Sequence, residues 1–165
     1  MHRRRFLTLA LVGGASLAFA GCGFRLRGFD DSGPVIDEIA LAGVDSAFLR
    51  MAEAHLSAVG TRVHDDAPLV LNLGEETWHE RSLSVLDSGS RELEITLALP
   101  FSVQRRRDGA YHLQQQRLEA TTRISVNDDN LLAQDDLREE AHQELRREAL
   151  RQLLERLRAL EDASP

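Results

Sequence analysis

A chain of 165 residues with 42 % hydrophobic and 28 % charged residues has the make-up of one globular domain, which excludes a collagen, a disordered tail and a multi-span membrane protein. Its 20 basic residues are all arginine and face 27 acids, and the resulting formal charge of −7 argues against nucleic acid as a partner. A single cysteine excludes an intrachain disulfide and a cysteine-rich zinc site.

The chain opens on Arg3, Arg4 and Arg5, followed by an apolar run from Phe6 to Ala20 that ends in small residues. A transmembrane helix needs roughly 20 apolar residues, so this shorter run reads as an export signal over residues 1–21 and not as a permanent span. The only cysteine, Cys22, follows Leu17-Ala18-Phe19-Ala20-Gly21, a stretch that resembles the lipobox of bacterial lipoproteins. In such proteins the thiol receives a diacylglyceryl group and the new amino terminus is N-acylated. A free cysteine is often a small core residue, but a buried thiol does not require small residues before it. Lipidation at Cys22 is therefore expected, with no other cofactor. Several acyl chains anchor stably where one holds only marginally, so the mature chain is expected to be tethered to a membrane without spanning it. Removing residues 1–21 takes away three arginines and no acid, which moves the charge from −7 to −10. Residues 22–33, rich in glycine, arginine and aspartate, read as a tether.

A single domain is expected over 34–161, with a tail at 162–165. Val35 to Ala42, between Pro34 and Gly43, suits a first strand. Asp45 to Val59 then changes period, with Phe48, Ala52, His55 or Leu56, and Val59 on one helical face, Asp45 as N-cap and Gly60 past the end. Leu69, Leu71 and Leu73 alternate in a second strand that continues past Trp78. After Asp87-Ser88-Gly89, the residues Leu93, Ile95, Leu97, Leu99, Phe101 and Val103 share one face of the clearest strand. Pro100 cannot donate to a ladder and predicts an edge position or a bulge there. Asp108-Gly109 marks a hairpin turn into a last strand over Tyr111 to Val126, whose two parities require a bulge near Gln114 to Gln116. From Leu132 to Leu160 there is no glycine or proline, and Leu137, Ala141, Leu145, Ala149, Leu150, Leu153, Leu154, Leu157 and Leu160 form an apolar stripe. The stripe is broad and lacks a strict heptad, which favours a helix on a sheet over a coiled coil. The order β-α-β-β-β-α predicts an α+β two-layer sandwich, with two helices on one face of a four-stranded, mostly antiparallel sheet.

No catalytic constellation is expected. The six histidines are scattered, and His64-Asp65-Asp66 reads as a surface loop, since zinc needs three or four preorganised ligands. The serines at 82, 84, 88 and 90 lack a nucleophile elbow, and the chain has no lysine for a Schiff base. The sharpest local charge is Arg105-Arg106-Arg107 before the Asp108-Gly109 turn. It is either a solubilising hairpin tip or a contact for lipid phosphate or acidic partner loops, because the guanidinium fork matches phosphate. Arg91, beside the other turn, is a similar candidate.

Directly at the lipidation site, Cys22-Gly23-Phe24-Arg25-Leu26-Arg27-Gly28 resembles the start of the mature chain in the LptE family of lipopolysaccharide-assembly lipoproteins. The resemblance continues through Leu71-Asn72-Leu73-Gly74, the Ser84 to Glu94 hairpin and Leu132-Ala133-Gln134-Asp135. It implies an outer-membrane lipoprotein, lipid-anchored on the periplasmic side and lodged inside an LptD-type barrel as plug and assembly aid, in contact with lipopolysaccharide. Asp87 and Gln134 stand where relatives can carry basic residues, which leaves Arg91, Arg105, Arg106 and Arg107 as the candidate contacts. The runner-up reading is another lipid-anchored accessory, serving a lipid-transport ABC system or the barrel-assembly machine.

Overall fold

Alternating apolar side chains from Leu93 to Val103 make β5 (Ser90–Arg105) the strand around which the others assemble in the computed structural model, which describes residues 35–85, 90–127 and 131–162. The other elements are β1 (Glu38–Gly43), α1 (Ala47–Ala58), β2 (Arg62–Val63), β3 (Leu69–Leu73), β4 (Thr77–Val85), β6 (Tyr111–Asn127) and α2 (Leu131–Asp162). The expected signal segment, tether and Cys22 lie outside the described residues, as does Asp87.

The sheet has six strands and mixed direction, which corrects the expected four-stranded, two-layer arrangement. β1 pairs in parallel with both β2 and β3, and α1 makes the crossover. β3, β4 and β6 all run antiparallel to β5. The two additional strands have separate causes. β2 is a two-residue pairing of Arg62 and Val63 with Glu38 and Ile39, too short to leave a periodic signal.

The other comes from a break in what reads as one strand through Trp78. β3 pairs with residues 101–105 of β5, and β4 pairs with residues 91–98 on the same side. Between them, Gly74 N donates to Pro100 O at 2.8 Å. A residue's N–H and C=O point to the same side of a strand, so the donor that Pro100 lacks would face this junction. The ladder is interrupted where no donor exists. A Cβ on Gly74 would lie 2.5 Å from Pro100 Cγ, so only glycine lets the chain pass this close. β5 is consequently an interior strand, and Pro100 marks the β3/β4 junction rather than an edge.

The bulge expected near 114–116 is present. Phe101 faces Gln116, Val103 faces Leu113 and Gln104 faces Tyr111, so β6 gains residues on β5 through this stretch. Ser46, and not Asp45, caps α1, its side chain accepting from Leu49 N at 3.1 Å, while Asp45 is ion-paired with Arg50.

Both helices bury their apolar faces in one cluster with the same side of the sheet. Phe48, Ala52 and Leu56 of α1 and Ala141, Leu145, Ala149, Leu153 and Leu157 of α2 meet Ile39, Leu71, Ile95, Leu97, Leu99, Phe101, Val103 and Leu118. Each fully buried Leu, Ile or Phe contributes about 1.5–3 kcal/mol of transfer free energy. The amino-terminal part of the α2 stripe does not take part: Leu131 and Leu132 are exposed, and Leu137 retains 37 % of its surface, contrary to its expected core position. The side of the sheet away from the helices is polar. It carries Asn72 against Ser102 and Gln104, Thr96 against Thr121, and Glu94 between Arg81 and Arg123.

Candidate functional site

The β5–β6 turn places Arg105, Arg106 and Arg107 at one end of the sheet, over the start of β3. Arg105 N donates to Ala110 O and Gly109 N to Arg105 O, which closes the hairpin. Arg106 is tied to the β2–β3 loop twice, through its backbone N–H to Pro68 O at 2.8 Å and its Nε to Ala67 O at 2.9 Å. Arg105 and Arg107 share one carboxylate, that of Asp108, at 3.2 and 3.5 Å. The Ala110 backbone N–H holds the Asp108 carboxyl below its ordinary range, and the charges of Arg105 and Arg107 add to this. One acid against three guanidinium groups leaves the tip net positive. Beside it lies an open cavity of about 490 Å³ lined by Pro68, Leu69 and the three arginines.

Arg91 is placed elsewhere. It pairs across β5 with Val85 and Val126, near the opposite end of the strand. At about 3.3 Å per residue the path from Arg91 to Arg105 is roughly 45 Å, so the four arginines do not form one site. Gln134, at the α2 start, is 4 % exposed, and its Nε2 donates to Asn127 O at 2.7 Å. It ties the end of β6 to α2, a structural duty that the residue type does not reveal.

A seam between β4 and α2 has no counterpart in the sequence reading. Glu76, just before β4, and Trp78 and Glu80 on it recur every second residue, and Arg146, His142 and Arg138 recur every four residues on the helix above them. Arg146 Nε donates to Glu76 Oε2 at 2.8 Å, and Glu76 Oε1 accepts from Phe48 N at 3.0 Å. The Trp78 and His142 rings lie 4.1 Å apart, with the Arg146 guanidinium 5.1 Å from the Trp78 ring centre. Arg138 reaches Glu80 at 3.4 Å. The complementary periods, two on the strand and about four on the helix, are the signal that would have exposed this seam.

The described histidines remain on separate elements, and His64 turns to Glu38 at 3.2 Å. Among the described residues there is no group of three His, Cys, Asp or Glu side chains placed to hold a metal. No described helix is long and apolar enough to cross a membrane.

The two-helix, mixed-sheet architecture is that of a group of bacterial lipoproteins of known structure. Rare lipoprotein B from Shewanella oneidensis aligns with a TM-score of 0.65 at 21 % identity, over 75 % of this chain and 96 % of that one. An uncharacterized lipoprotein B from Nitrosomonas europaea aligns at 0.69 and 19 %, over 86 % and 94 %. A minor lipoprotein from Acinetobacter baumannii aligns at 0.63 and 16 %, over 74 % and 91 %. At these identities the likeness is one of fold, and no curated protein matches the chain. The family model for LptE, lipopolysaccharide assembly, matches residues 25–157. The chain belongs to the LptE family.

Proposed function

We propose that this protein is an outer-membrane lipoprotein, acylated at Cys22, that partners an LptD-type barrel as plug and assembly aid in delivering lipopolysaccharide to the outer leaflet. The observation that carries this reading is the match to the lipopolysaccharide-assembly family, which spans the α+β domain to within the last turns of α2 and begins three residues after Cys22. Acyl chains on Cys22 would supply the attachment of such a module to the membrane. Partner packing in such a complex relies on shape and apolar area. Exposed Leu131 and Leu132 are then the apolar groups available at the α2 end, close in sequence to the tie between Gln134 and Asn127.

Isolation of the native protein in mild detergent tests the partnership. One large β-barrel co-purifying in fixed ratio is expected, whereas inner-membrane ATPase components or the barrel-assembly machine in its place would overturn it. The anchor is tested separately by intact mass. A mature chain beginning at an acylated Cys22 is expected, with Cys22→Ala giving an unprocessed precursor. An unmodified amino-terminal Met1 in the native material would remove the anchor from the assignment.

A further inference from the structure

The arginine tip lies at the same end of the sheet as the point where the described chain begins. β1 starts at Glu38 beside β2, and Val35 and Ile36 are already buried in the core. A second cavity, of about 280 Å³, is lined by Ile36, Asp37, Glu38, His112 and Leu160, and shares Pro68 and Leu69 with the cavity at the arginines. Only about 13 residues separate Cys22 from Val35, a reach of at most roughly 45 Å. An acylated Cys22 would therefore limit the start of the domain to within roughly 45 Å of the bilayer surface.

The chemistry of the tip suits that surface. The lining of the larger cavity carries three guanidinium side chains and no acid. Asp65 and Asp66 stand on the neighbouring loop without lining it, and Glu38 is engaged with Arg62 and His64. Arg107 exposes 79 % of its side chain, and Tyr111, at the start of β6, is 57 % exposed. Arginine beside an exposed tyrosine is the composition that sits at a membrane–water interface, the ring at headgroup level and the guanidinium on phosphate. A mature chain of charge −10 is repelled overall by an anionic surface, so a local positive end favours approach by that end.

We propose that the β5–β6 tip, with Arg105, Arg106 and Arg107 around the cavity on Pro68 and Leu69, docks onto phosphate headgroups of anionic phospholipid in the leaflet that holds the chain's own anchor, an inference that rests on the acylation of Cys22 proposed above. Each net positive charge close to an anionic surface favours the docked pose about fivefold, and with Asp108 offsetting one of the three arginines the tip favours it on the order of 30-fold, less at high salt.

The test uses the full lipidated protein in vesicles of phosphatidylcholine alone or with phosphatidylglycerol, and follows deuterium uptake by the amides of residues 106–110. At least tenfold slower uptake is expected with phosphatidylglycerol, reversed by salt. The protection is lost in the R105Q/R106Q/R107Q variant and kept when the same three residues become Lys. A charge-matched R50Q/R147Q/R151Q variant is expected to behave as wild type. If the glutamine triple variant fails to fold, R107Q alone reports, since that side chain is 79 % exposed, and partial loss is expected. Equal uptake in both vesicles, or equal loss in the charge-matched variant, overturns the docking. Protection by lipopolysaccharide but not by phosphatidylglycerol overturns it in favour of a glycolipid headgroup. Intact mass of the same sample reports acylation independently, so failure of the anchor is distinguished from failure of the tip.

Discussion

Glu76 and Arg146 meet at 2.8 Å although 70 residues separate them, and this pair fastens α2 to the start of β4 with little water around it. Only 9 % of the Glu76 side chain and 17 % of that of Arg146 are exposed. The second Glu76 oxygen accepts the Phe48 N–H near the amino end of α1, so one carboxylate joins both helices to the sheet. The guanidinium also covers the Trp78 ring, which keeps water from the pair.

Arg146→Ala leaves the Glu76 charge half-satisfied in a dry setting, and a loss of about 2–4 kcal/mol is expected. Glu76→Gln keeps the bond to Phe48 N and is expected to cost less. Urea unfolding of the two single variants and the double variant gives the coupling directly, expected at about 1–3 kcal/mol. A coupling near zero would show that the two side chains contribute independently.

Gly43 closes β1 against β3 at φ +151°, and a Cβ there would lie 2.2 Å from the Leu73 carbonyl oxygen. The obstacle is backbone within a paired ladder, Gly43 facing Leu73, so no side-chain rotation relieves it. Gly43→Ala is expected to destabilise by about 2–4 kcal/mol, measured by thermal unfolding. Gly60→Ala meets no atom within 4 Å and carries only the strain of φ +94°, so its cost is expected to be smaller.

The hydrogen bond from Arg81 holds the Glu94 carboxyl below its ordinary range, with Arg123 adding to the effect from the other side. A carboxyl whose folded-state pKa is depressed contributes stability that is present above its unfolded pKa and is lost as pH falls through the folded value. Unfolding free energy is therefore expected to decline in acid, below about pH 4. Carbon-detected NMR titration is expected to place the Glu94 midpoint below that of an unpaired glutamate. Arg81→Ala should move it upward, and salt should shrink the difference because both guanidinium partners are exposed.

The apolar stripe of α2 is unequal along its length. Leu153 is fully buried, while Leu137 retains 37 % of its surface. Leu153→Ala is expected to cost about 2–5 kcal/mol, and Leu137→Ala less than about 1 kcal/mol. Denaturant midpoints at constant slope test the contrast, and equal losses would mean that the amino-terminal turns are packed as tightly as the rest.

Local pattern carried most of the elements. Period-two alternation placed β5, with its inward residues, from Leu93 to Val103, and period 3.6 placed the buried faces of both helices. Even the β6 bulge was legible, because two parities within one strand admit no other reconciliation. The break at Gly74 was not, since it depends on Pro100, which is distant in sequence and lies across the ladder. The short parallel β2 left no trace, because two residues have no period.

By itself, the amino-acid order determined the lipobox-like stretch before Cys22, the α+β class and the resemblance to the family, because each is written in neighbouring residues or in a repeating interval. Tertiary structure alone decided which basic residues lie together. Arg91 and Arg105 share one strand and are similar in kind, yet a rigid extended β5 holds them at opposite ends. The same folding brought Arg105, Arg106 and Arg107 beside Pro68 and Leu69, and Arg146 onto Glu76. Charge in a chain is a composition, but charge in a site requires the geometry that strand pairing and helix packing impose.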